Sequence, residues 1–265
     1  MALFAPNTAG YYEGLEAKIE SLTLLSAKQV FPLLLELSGR LRFPEPEIIR
    51  AEEFCEGFGA VEEARELKRV LDAYGCDKSL SHNYHHLYAA VLKDLGSVSR
   101  MLEIGLGTTH TDVVSNMGAS WTPGNSLRAF RQYLPGAEIH GADFDRRILF
   151  QEERITTHFV DQTELATLRN LTSAIPGALD LLIDDGLHAP NANLATLIFG
   201  LEKVREGGWI VIEDIAEEAL PFWKTVLLLI GGQHACYLIS AHGGFVFALK
   251  KGAIPASKGV SGCLV

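Results

Sequence analysis

The sequence predicts an α/β protein with a mostly parallel sheet, an antiparallel last strand and a helical N-terminal addition. From residue 98 onward, short apolar runs alternate with helical patterns, which is typical of parallel strands joined by crossover helices. Residues 241–244 separate the last two apolar runs, and so short a connection joins antiparallel neighbours. Before residue 98 the pattern is helical.

The N-terminal helices are predicted from apolar residues at three- and four-residue spacings. This spacing occurs in Leu15–Leu25, Ala27–Leu37 and Ala60–Ala73. Phe43–Pro46 interrupts the helices, because proline does not continue a helix and restricts the residue before it. Residues 77–92 are rich in histidine and tyrosine, and they end in a helical apolar pattern.

The strands of the sheet are predicted from apolar runs of about five residues. The first five are Met101–Ile104, Glu138–Ala142, Ile155–Val160, Leu179–Ile183 and Trp209–Ile212. The helices between them are Ser126–Leu134, Gln162–Leu171 and Asn191–Val204. The last two strands are Ala235–Ser240 and Phe245–Leu249.

Composition excludes several classes of protein. The 265 residues are 48% hydrophobic, which disfavours a disordered or fibrous chain. With 33 acidic against 23 basic side chains the net charge is −10, and this balance disfavours nucleic acid as a partner. The longest apolar stretch, Val226–Gly232, is too short to span a membrane.

Four widely separated cysteines form no C-x-x-C pair. They therefore suggest neither a disulfide framework nor a thiolate zinc site, and a reducing cytoplasm is expected. The first twenty residues show no basic segment leading into an apolar run, so no signal peptide is expected.

Acidic, glycine and histidine residues follow the ends of five successive predicted strands. In doubly wound sheets, ligands bind beyond these carboxyl ends, so the sequence predicts one ligand site along this edge. The alternative is that the acidic residues only begin loops and cap helices. The strand-end residues are Glu103, Gly105, Gly107, Asp143, Asp145, Asp161, Asp184, Asp185, His188, Glu213 and Asp214.

The first strand end carries two glycines, which allow a ligand to approach the backbone closely. The third glycine of the dinucleotide fingerprint is absent after Gly105 and Gly107. Asp143 is placed to hold ribose hydroxyls, but it follows Gly107 by 36 residues where about 20 are usual. The excess lies in the insertion Thr111–Ser126, and loops of this length are commonly functional.

These motifs resemble class I S-adenosylmethionine-dependent methyltransferases. More narrowly, the chain from about Asp77 to Lys250 resembles the macrocin-type sugar O-methyltransferases of antibiotic biosynthesis. The resemblance rests on the segments DKSLSHNY, GNSLRAFRQYLPGAEIHGADFD, IDDGLH and GGWIVIED. It implies a Rossmann-like sheet, S-adenosylmethionine as cofactor, and Mg²⁺ or another divalent cation that holds a sugar hydroxyl while a histidine removes its proton.

The resemblance also implies roles for individual residues. Glu103, Gly105 and Gly107 would contact the methionine part and backbone of the cofactor. Asp143 would hold the ribose and Asp161 would lie near the adenine amine. The role of Asp184 stays open between facing the methyl end of the cofactor and orienting the following loop.

For the metal and the chemistry, the resemblance implies Asp185 and Asp214 as ligands, together with Glu213, and His188 as general base. Leu187 stands where the family more usually has serine, which leaves the shape of the acceptor pocket open. The residues support the metal independently, because Asp185 and Asp214 end neighbouring strands and clustered carboxylates repel without a cation. An all-oxygen set suits magnesium better than zinc.

The change of pattern near residue 98 predicts a division of the chain into three parts. Residues 1–97 form a helical lid or dimerisation region, residues 98–251 the S-adenosylmethionine-binding catalytic domain, and residues 252–265 a tail. The expected partner is a small hydroxylated acceptor, with neither nucleic acid nor membrane, and related enzymes favour a homo-oligomer.

Two other functions remain possible from the sequence. A nicotinamide-dependent oxidoreductase is disfavoured by the broken glycine fingerprint and by the lack of a Tyr-x-x-x-Lys pair after the fourth strand. A cofactor-binding protein without catalysis is disfavoured by His188 beside the paired acids.

The sequence leaves more than one interpretation open for two further groups of side chains. His82 and His86 have the spacing of a zinc pair, but no nearby Cys or acidic residue completes such a site. The sequence favours Lys78, His82 and Tyr84 as polar contacts of a lid or pocket wall, with surface or core packing as the alternative. Trp121 and Trp223 either stack on an acceptor or pack in the core.

Overall fold

A computed structural model describes residues 4–6 and 14–252 of the chain. The strands of the described part are β1 (Ile48–Arg50), β2 (Arg100–Ile104), β3 (Glu138–Asp143), β4 (Gln151–Glu152), β5 (Ile155–Phe159), β6 (Leu179–Asp184), β7 (Val204–Ile215), β8 (Ala235–Ala241) and β9 (Gly244–Lys250). They form one sheet in the order β1-β8-β9-β7-β6-β2-β3-β5-β4.

The helices lie on both faces of this sheet. They are α1 (Glu16–Arg40), α2 (Ala51–Gly57), α3 (Val61–Ala73), α4 (Asp77–Leu80), α5 (Tyr84–Leu95), α6 (Asn125–Tyr133), α7 (Leu165–Ala174), α8 (Pro190–Lys203) and α9 (Leu220–Ile230). Among the described residues, no helix combines the length and the apolar character that a membrane span requires.

The pairing confirms the predicted α/β fold with its reversed last strand. Strands β5, β3, β2, β6 and β7 pair in parallel. Strand β9 inserts antiparallel between β7 and β8. The turn between β8 and β9 contains His242 and Gly243, and Gly243 has a φ of +86°. A two-residue turn of this kind needs left-handed backbone, which glycine adopts without a steric cost.

Several elements differ from the sequence prediction. The two predicted segments Leu15–Leu25 and Ala27–Leu37 form one helix, α1, which continues through Pro32. Phe31 beside this proline packs edge-on against Phe222 of α9, with ring centroids 5.0 Å apart. This tertiary contact holds α1 where the lost backbone hydrogen bond would weaken it. Strands β1 and β4 and helix α9 are additions to the predicted pattern.

The core has two layers, one on each face of the sheet. On one face, Leu67 of α3 and Leu87 of α5 belong to the same buried cluster as Met101 of β2. On the other face, Leu197 of α8 and Trp223 of α9 pack with the remaining strand residues. The N-terminal helices α3 and α5 are therefore one of the two layers that cover the sheet, which brings their ends to its carboxyl edge.

Candidate functional site

A cavity of about 390 Å³ opens beyond the carboxyl ends of the strands. Its walls come from the glycine loop after β2, the ends of β3, β6 and β7, and the insertion Thr111–Ser126. Seven of the predicted site residues line it, namely Gly105, Gly107, Asp143, Asp161, Asp185, His188 and Asp214. The strand ends therefore do converge on one space, as expected from parallel strands.

Gly105 brings the ends of β2 and β6 into direct backbone contact. Its φ is +97°, and a Cβ built on it would lie 1.8 Å from the carbonyl oxygen of Asp185. On the other side, its N–H donates to the carbonyl of Ala142 at 2.8 Å. A glycine is required here both for the backbone conformation and for the close approach.

We expect Gly105→Ala to lower the free energy of unfolding much more than alanine at another glycine with positive φ. Gly96 is the matched control, because its φ is +67° and nothing lies within 4 Å of a built Cβ. Gly96→Ala is expected to cost about 1–2 kcal/mol for left-handed backbone, and Gly105→Ala about 1–3 kcal/mol more for overpacking. Urea unfolding of the two variants measures the difference, and equal losses would contradict the close approach.

Asp143 fixes the glycine loop from the end of β3. Its Oδ2 accepts from the N–H of Leu106 at 2.7 Å, and its Oδ1 accepts from the N–H of Asp145 at 2.7 Å. Burial raises the pKa of this carboxyl. The neighbouring Phe144 is 55% exposed and lines the cavity, where it offers an aromatic face to a ligand.

The two acidic residues after β5 and at the end of β6 have different surroundings. Asp161 lines the cavity, and its Oδ1 accepts from the N–H of Thr163 at 2.9 Å. Asp184 is fully buried and accepts from Gln162 Nε2 at 2.7 Å and Asn193 Nδ2 at 3.1 Å. It does not line the cavity, so its position favours the second of its two predicted roles, which is to orient the loop after β6.

Asp185, His188 and Asp214 meet at the cavity wall. Each offers one ligand atom, and these three atoms lie within 4.8 Å of one another. Nε2 of His188 is 3.9 Å from Oδ1 of Asp185 and 3.7 Å from Oδ2 of Asp214. Among the described residues, these are the His, Cys, Asp or Glu side chains whose ligand atoms form a group of three close enough together to hold a metal ion.

The backbone of this cluster is strained. His188 has a φ of +56° and Asp214 a φ of +53°. Residues other than glycine seldom adopt left-handed backbone, and such residues are common at binding and catalytic sites. Arg42 and Arg154 adopt the same conformation outside the cluster, so the conformation agrees with a functional role of His188 and Asp214 but does not by itself mark one.

Lys78 of α4 lies behind the cluster and contacts three carboxylates. Its Nζ is 2.7 Å from Asp185 Oδ2, 2.5 Å from Glu213 Oε2 and 3.2 Å from Glu103 Oε1. Lys78 is 1% exposed. Burial disfavours its charge, but Asp185, Glu213 and Glu103 outweigh burial and hold the pKa of Lys78 well above its ordinary value. The lysine is therefore a buried cation at the centre of the site.

Glu213 and Glu103 do not line the cavity. Glu213 accepts hydrogen bonds from both Lys78 and Tyr88. Glu103 is fully buried, and burial raises its pKa to about 7. Of the three predicted metal ligands, Asp185 and Asp214 therefore face the cavity, whereas Glu213 is buried against Lys78.

Residues 77–88 were predicted to supply polar contacts through Lys78, His82 and Tyr84, and in the structure Lys78 and Tyr84 contact the acidic cluster from outside the cavity wall. Tyr84 donates to Asp214 Oδ1 at 2.5 Å, and Tyr88 is a partner of Glu213. His82 stacks on Tyr84 and contacts the carbonyl of His242 through Nδ1 at 2.7 Å, so it does not pair with His86 as a zinc site requires. No sequence signal marks Lys78 or Tyr88 as buried, because each contacts a carboxylate more than a hundred residues away.

The structure places the two tryptophans, Trp121 and Trp223, in different surroundings. Trp121 of the insertion lines the cavity. Trp223 is fully buried and stacks on Phe247, with ring centroids 4.8 Å apart, so it belongs to the core.

Comparison with curated proteins finds O-methyltransferases. The chain is 30% identical over 155 residues to the 8-demethyl-8-α-L-rhamnosyl tetracenomycin-C 2′-O-methyltransferase of Streptomyces olivaceus, covering 57% of this chain and 38% of that protein. It is 35% identical over 117 residues to the demethylmacrocin O-methyltransferase of Streptomyces fradiae, covering 44% of this chain and 27% of that protein. It is 35% identical over 135 residues to the mycinamicin VI 2″-O-methyltransferase of Micromonospora griseorubida, covering 51% of this chain and 30% of that protein. The chain spans about a third of the length of these relatives.

Among solved structures, the chain is similar to the MycE methyltransferase from the mycinamycin biosynthetic pathway in complex with Mg and SAH. The TM-score is 0.58 at 24% identity, and the match covers 74% of this chain and 57% of that one. A complex of the same enzyme that also contains mycinamycin VI gives a TM-score of 0.57 at 23% identity, with the same coverage. No family model matches the chain. The strand order, the reversed β9 and these structural neighbours together show that the chain has the fold of class I S-adenosylmethionine-dependent methyltransferases.

Proposed function

We propose that this protein transfers a methyl group from S-adenosylmethionine to a hydroxyl of a small molecule, in a reaction that depends on a divalent cation. The observation that carries the proposal is the cluster of Asp185, His188 and Asp214 in the wall of the same cavity that the glycine loop lines. This places a candidate cation site and a candidate base within one ligand-sized space. The volume of about 390 Å³ is within the range of small-molecule sites.

The cofactor would occupy the side of the cavity formed by the glycine loop. Gly105 and Gly107 would let the cofactor approach the backbone closely, Asp143 would hold the ribose hydroxyls, and Asp161 would lie near the adenine amine. Glu103 acts from behind this wall, because the structure buries it against Lys78. The names of the structural neighbours, which include SAH, support the same cofactor.

The donor set fits a hard divalent ion. Burial raises the pKa of Asp185, Lys78 lowers it, and the charge of Asp214 adds to the increase. A cation between the two carboxylates would relieve this repulsion, and carboxylate oxygens are the preferred ligands of magnesium. When bound, the ion would lower the pKa of the acceptor hydroxyl and fix its position.

His188 is the residue that we assign to proton removal. Its Nε2 faces both carboxylates at 3.7–3.9 Å, which keeps the imidazole oriented toward the space between them. A neutral imidazole is a suitable base near neutral pH. The chain would not form a covalent intermediate, so its contribution is alignment of the hydroxyl with the methyl group and placement of charge.

The acceptor is proposed from the relatives and from the cavity wall. The relatives are named as O-methyltransferases that act on a rhamnosyl tetracenomycin, on demethylmacrocin and on mycinamicin VI. We infer a hydroxylated natural product with a sugar hydroxyl as the reacting group. Met117, Trp121 and Leu187 line the cavity and offer apolar surface for the body of such a molecule.

The N-terminal region contributes to the same site in this proposal. Cys76 and Asp77 line the cavity, and behind them Lys78 of α4 and Tyr84 of α5 contact Asp185 and Asp214. In this proposal, residues 76–84 therefore complete the site from the N-terminal region. Dimerisation through this region, the homo-oligomer and the boundaries at residues 98 and 251 stay predictions. Most of the predicted tail, residues 253–265, lies outside the described residues.

Calorimetric titration tests the cofactor. We expect S-adenosylhomocysteine to bind the full chain with a micromolar dissociation constant and NAD not to bind detectably, because the glycine loop lacks the third glycine of the dinucleotide fingerprint. Heat from NAD without heat from S-adenosylhomocysteine would contradict the methyltransferase and favour the oxidoreductase.

A further inference from the structure

We propose that the outer face of α1 is the interface of a two-fold symmetric dimer, in which the helices α1 of two copies of this chain pack antiparallel against each other. The outer face is the apolar surface formed by Leu22, Leu25, Leu33 and Leu37, with Gln29 at its centre. The described residues of α1 do not line the cavity at the strand ends. The inference is therefore independent of the proposed reaction.

The outer face exposes an unusual amount of apolar surface. The exposed fractions are 42% for Leu22, 48% for Leu25, 58% for Leu33 and 51% for Leu37. These residues follow one another at three- or four-residue steps through Gln29, so they form one continuous row on the helix. Isolated apolar side chains at a surface are ordinary, but a contiguous apolar patch marks an interaction site.

The other side of α1 attaches the helix to the rest of the protein. Ile19, Thr23 and Val30 are half-buried there, and Phe31 packs edge-on against Phe222 of α9. A helix on the surface of a globular protein usually has polar residues on the side that faces solvent. Because α1 is apolar on both sides, its outer face has the composition of a buried surface.

A groove beside α1 gives this surface both a ridge and a recess. Phe4–Pro6 lie next to the helix and form with it a groove of about 750 Å³. Leu22, Leu25 and Leu33 line the same groove. Helices pack by placing the ridges of one between those of the other, and a two-fold axis lets each copy provide a ridge and receive one.

The charges at the two ends of α1 favour a second copy in the antiparallel orientation. Residues 16–20 contain two glutamates and one lysine, a net charge of −1, and residues 36–42 contain one glutamate and two arginines, a net charge of +1. Lys28 is the charged residue between these ends. Antiparallel packing places the acidic end of each helix beside the basic end of the other and pairs opposite ends of the helix dipoles.

The same charges disfavour a membrane surface as the occupant. Helices that lie in a membrane interface are rich in Lys and Arg on their polar face. Helix α1 has three acidic and three basic residues, and the whole chain has a net charge of −10. Anionic lipid headgroups would repel such a chain.

The dimensions of α1 suit a dimer. A helix of 25 residues is about 38 Å long and about 10 Å wide. The outer face then covers on the order of 400 Å² on each copy, and Phe4–Pro6 extend it along the groove. Two copies together approach the area of about 1,000 Å² that a stable interface requires.

Sedimentation velocity of the full chain tests the dimer. We expect the wild-type protein to sediment with twice the chain mass of 28.9 kDa at micromolar concentration. Leu33→Glu is expected to raise the dissociation constant of the dimer by about 100-fold or more, because the two-fold axis introduces the buried charge twice. Ile198→Glu is the matched control, since Ile198 is 49% exposed on α8, outside the outer face, and it is expected to leave the dimer intact.

Three results would overturn the proposal. They are a monomeric wild-type protein, a Leu33→Glu protein that remains dimeric, and an Ile198→Glu protein that dissociates as much as Leu33→Glu does. Circular dichroism checks that Leu33→Glu is folded, which we expect because more than half of the Leu33 side chain is exposed in a single copy. A monomeric wild-type protein that floats with phosphatidylcholine and phosphatidylglycerol vesicles would identify a membrane as the occupant instead.

Disulfide cross-linking tests the antiparallel orientation. Gln29 lies next to the middle of α1, so a Gln29→Cys side chain meets its own counterpart across the two-fold axis. Leu22→Cys lies toward one end, about 20 Å from its counterpart in an antiparallel pair. We expect mild oxidation to produce a covalent dimer of Gln29→Cys but not of Leu22→Cys, with the wild-type chain as the background. Equal cross-linking of both variants would contradict the antiparallel arrangement.

Discussion

Replacing His188 with alanine is expected to lower kcat by about 10²–10⁴-fold, which is the usual contribution of a positioned general base. In the proposed reaction the acceptor hydroxyl loses a proton, and Nε2 of His188 faces the space between the two carboxylates. The dissociation constant of S-adenosylhomocysteine is expected to change by less than threefold, because the glycine loop and Asp143 are untouched.

Single-turnover methylation of a glycosylated natural product, with the cofactor binding measured in parallel, separates the two effects. His86→Ala is the control, since His86 is a half-buried histidine that contacts His85 away from the cavity, and its kcat is expected to stay near wild type. A His188→Ala enzyme within tenfold of wild type would show that another group or solvent takes the proton.

Removal of divalent ions with EDTA is expected to stop turnover, and excess Mg²⁺ is expected to restore it. The physical reason is that the ion held by Asp185 and Asp214 would fix the acceptor hydroxyl and lower its pKa, and this help is lost when the ion is removed. Activity assays of the same sample before chelation, after chelation and after readdition of Mg²⁺ measure the effect.

The matched control for this experiment is Asp214→Asn, which keeps the shape of the side chain but removes one charge. We expect Mg²⁺ to restore little activity in this variant, because one of the two carboxylates that face the cavity is lost. Full activity of the wild-type enzyme in EDTA would remove the ion from the mechanism and leave proton removal to His188 alone.

Much of the fold was predictable because central strands of the sheet are mostly apolar runs that end in polar residues. Strand β6 illustrates this, since all six residues are buried and the run ends at Asp184. Strand β1, with three residues, and strand β4, with two, are too short for a periodic pattern to mark them. Both form at the two edges of the sheet, where tertiary pairing rather than local sequence decides their conformation.

The candidate site was predictable for the same reason, but only in part. The sequence placed Asp185, His188 and Asp214 at one sheet edge, because the ends of parallel strands meet there. It did not distinguish the two neighbours Glu213 and Asp214. Adjacent residues of a strand point to opposite faces. Glu213 is buried against Lys78, a helical residue far away in sequence, whereas Asp214 lines the cavity.

The buried contact of Lys78 also bears on how independent the two halves of the chain are. A fragment that began at residue 98 would keep Glu103, Asp185 and Glu213 but lose the ammonium that balances them. It would also expose the face of the sheet that α3 and α5 cover. The change in sequence pattern near residue 98 marks where the type of secondary structure changes. We therefore expect the sheet and the N-terminal helices to unfold together.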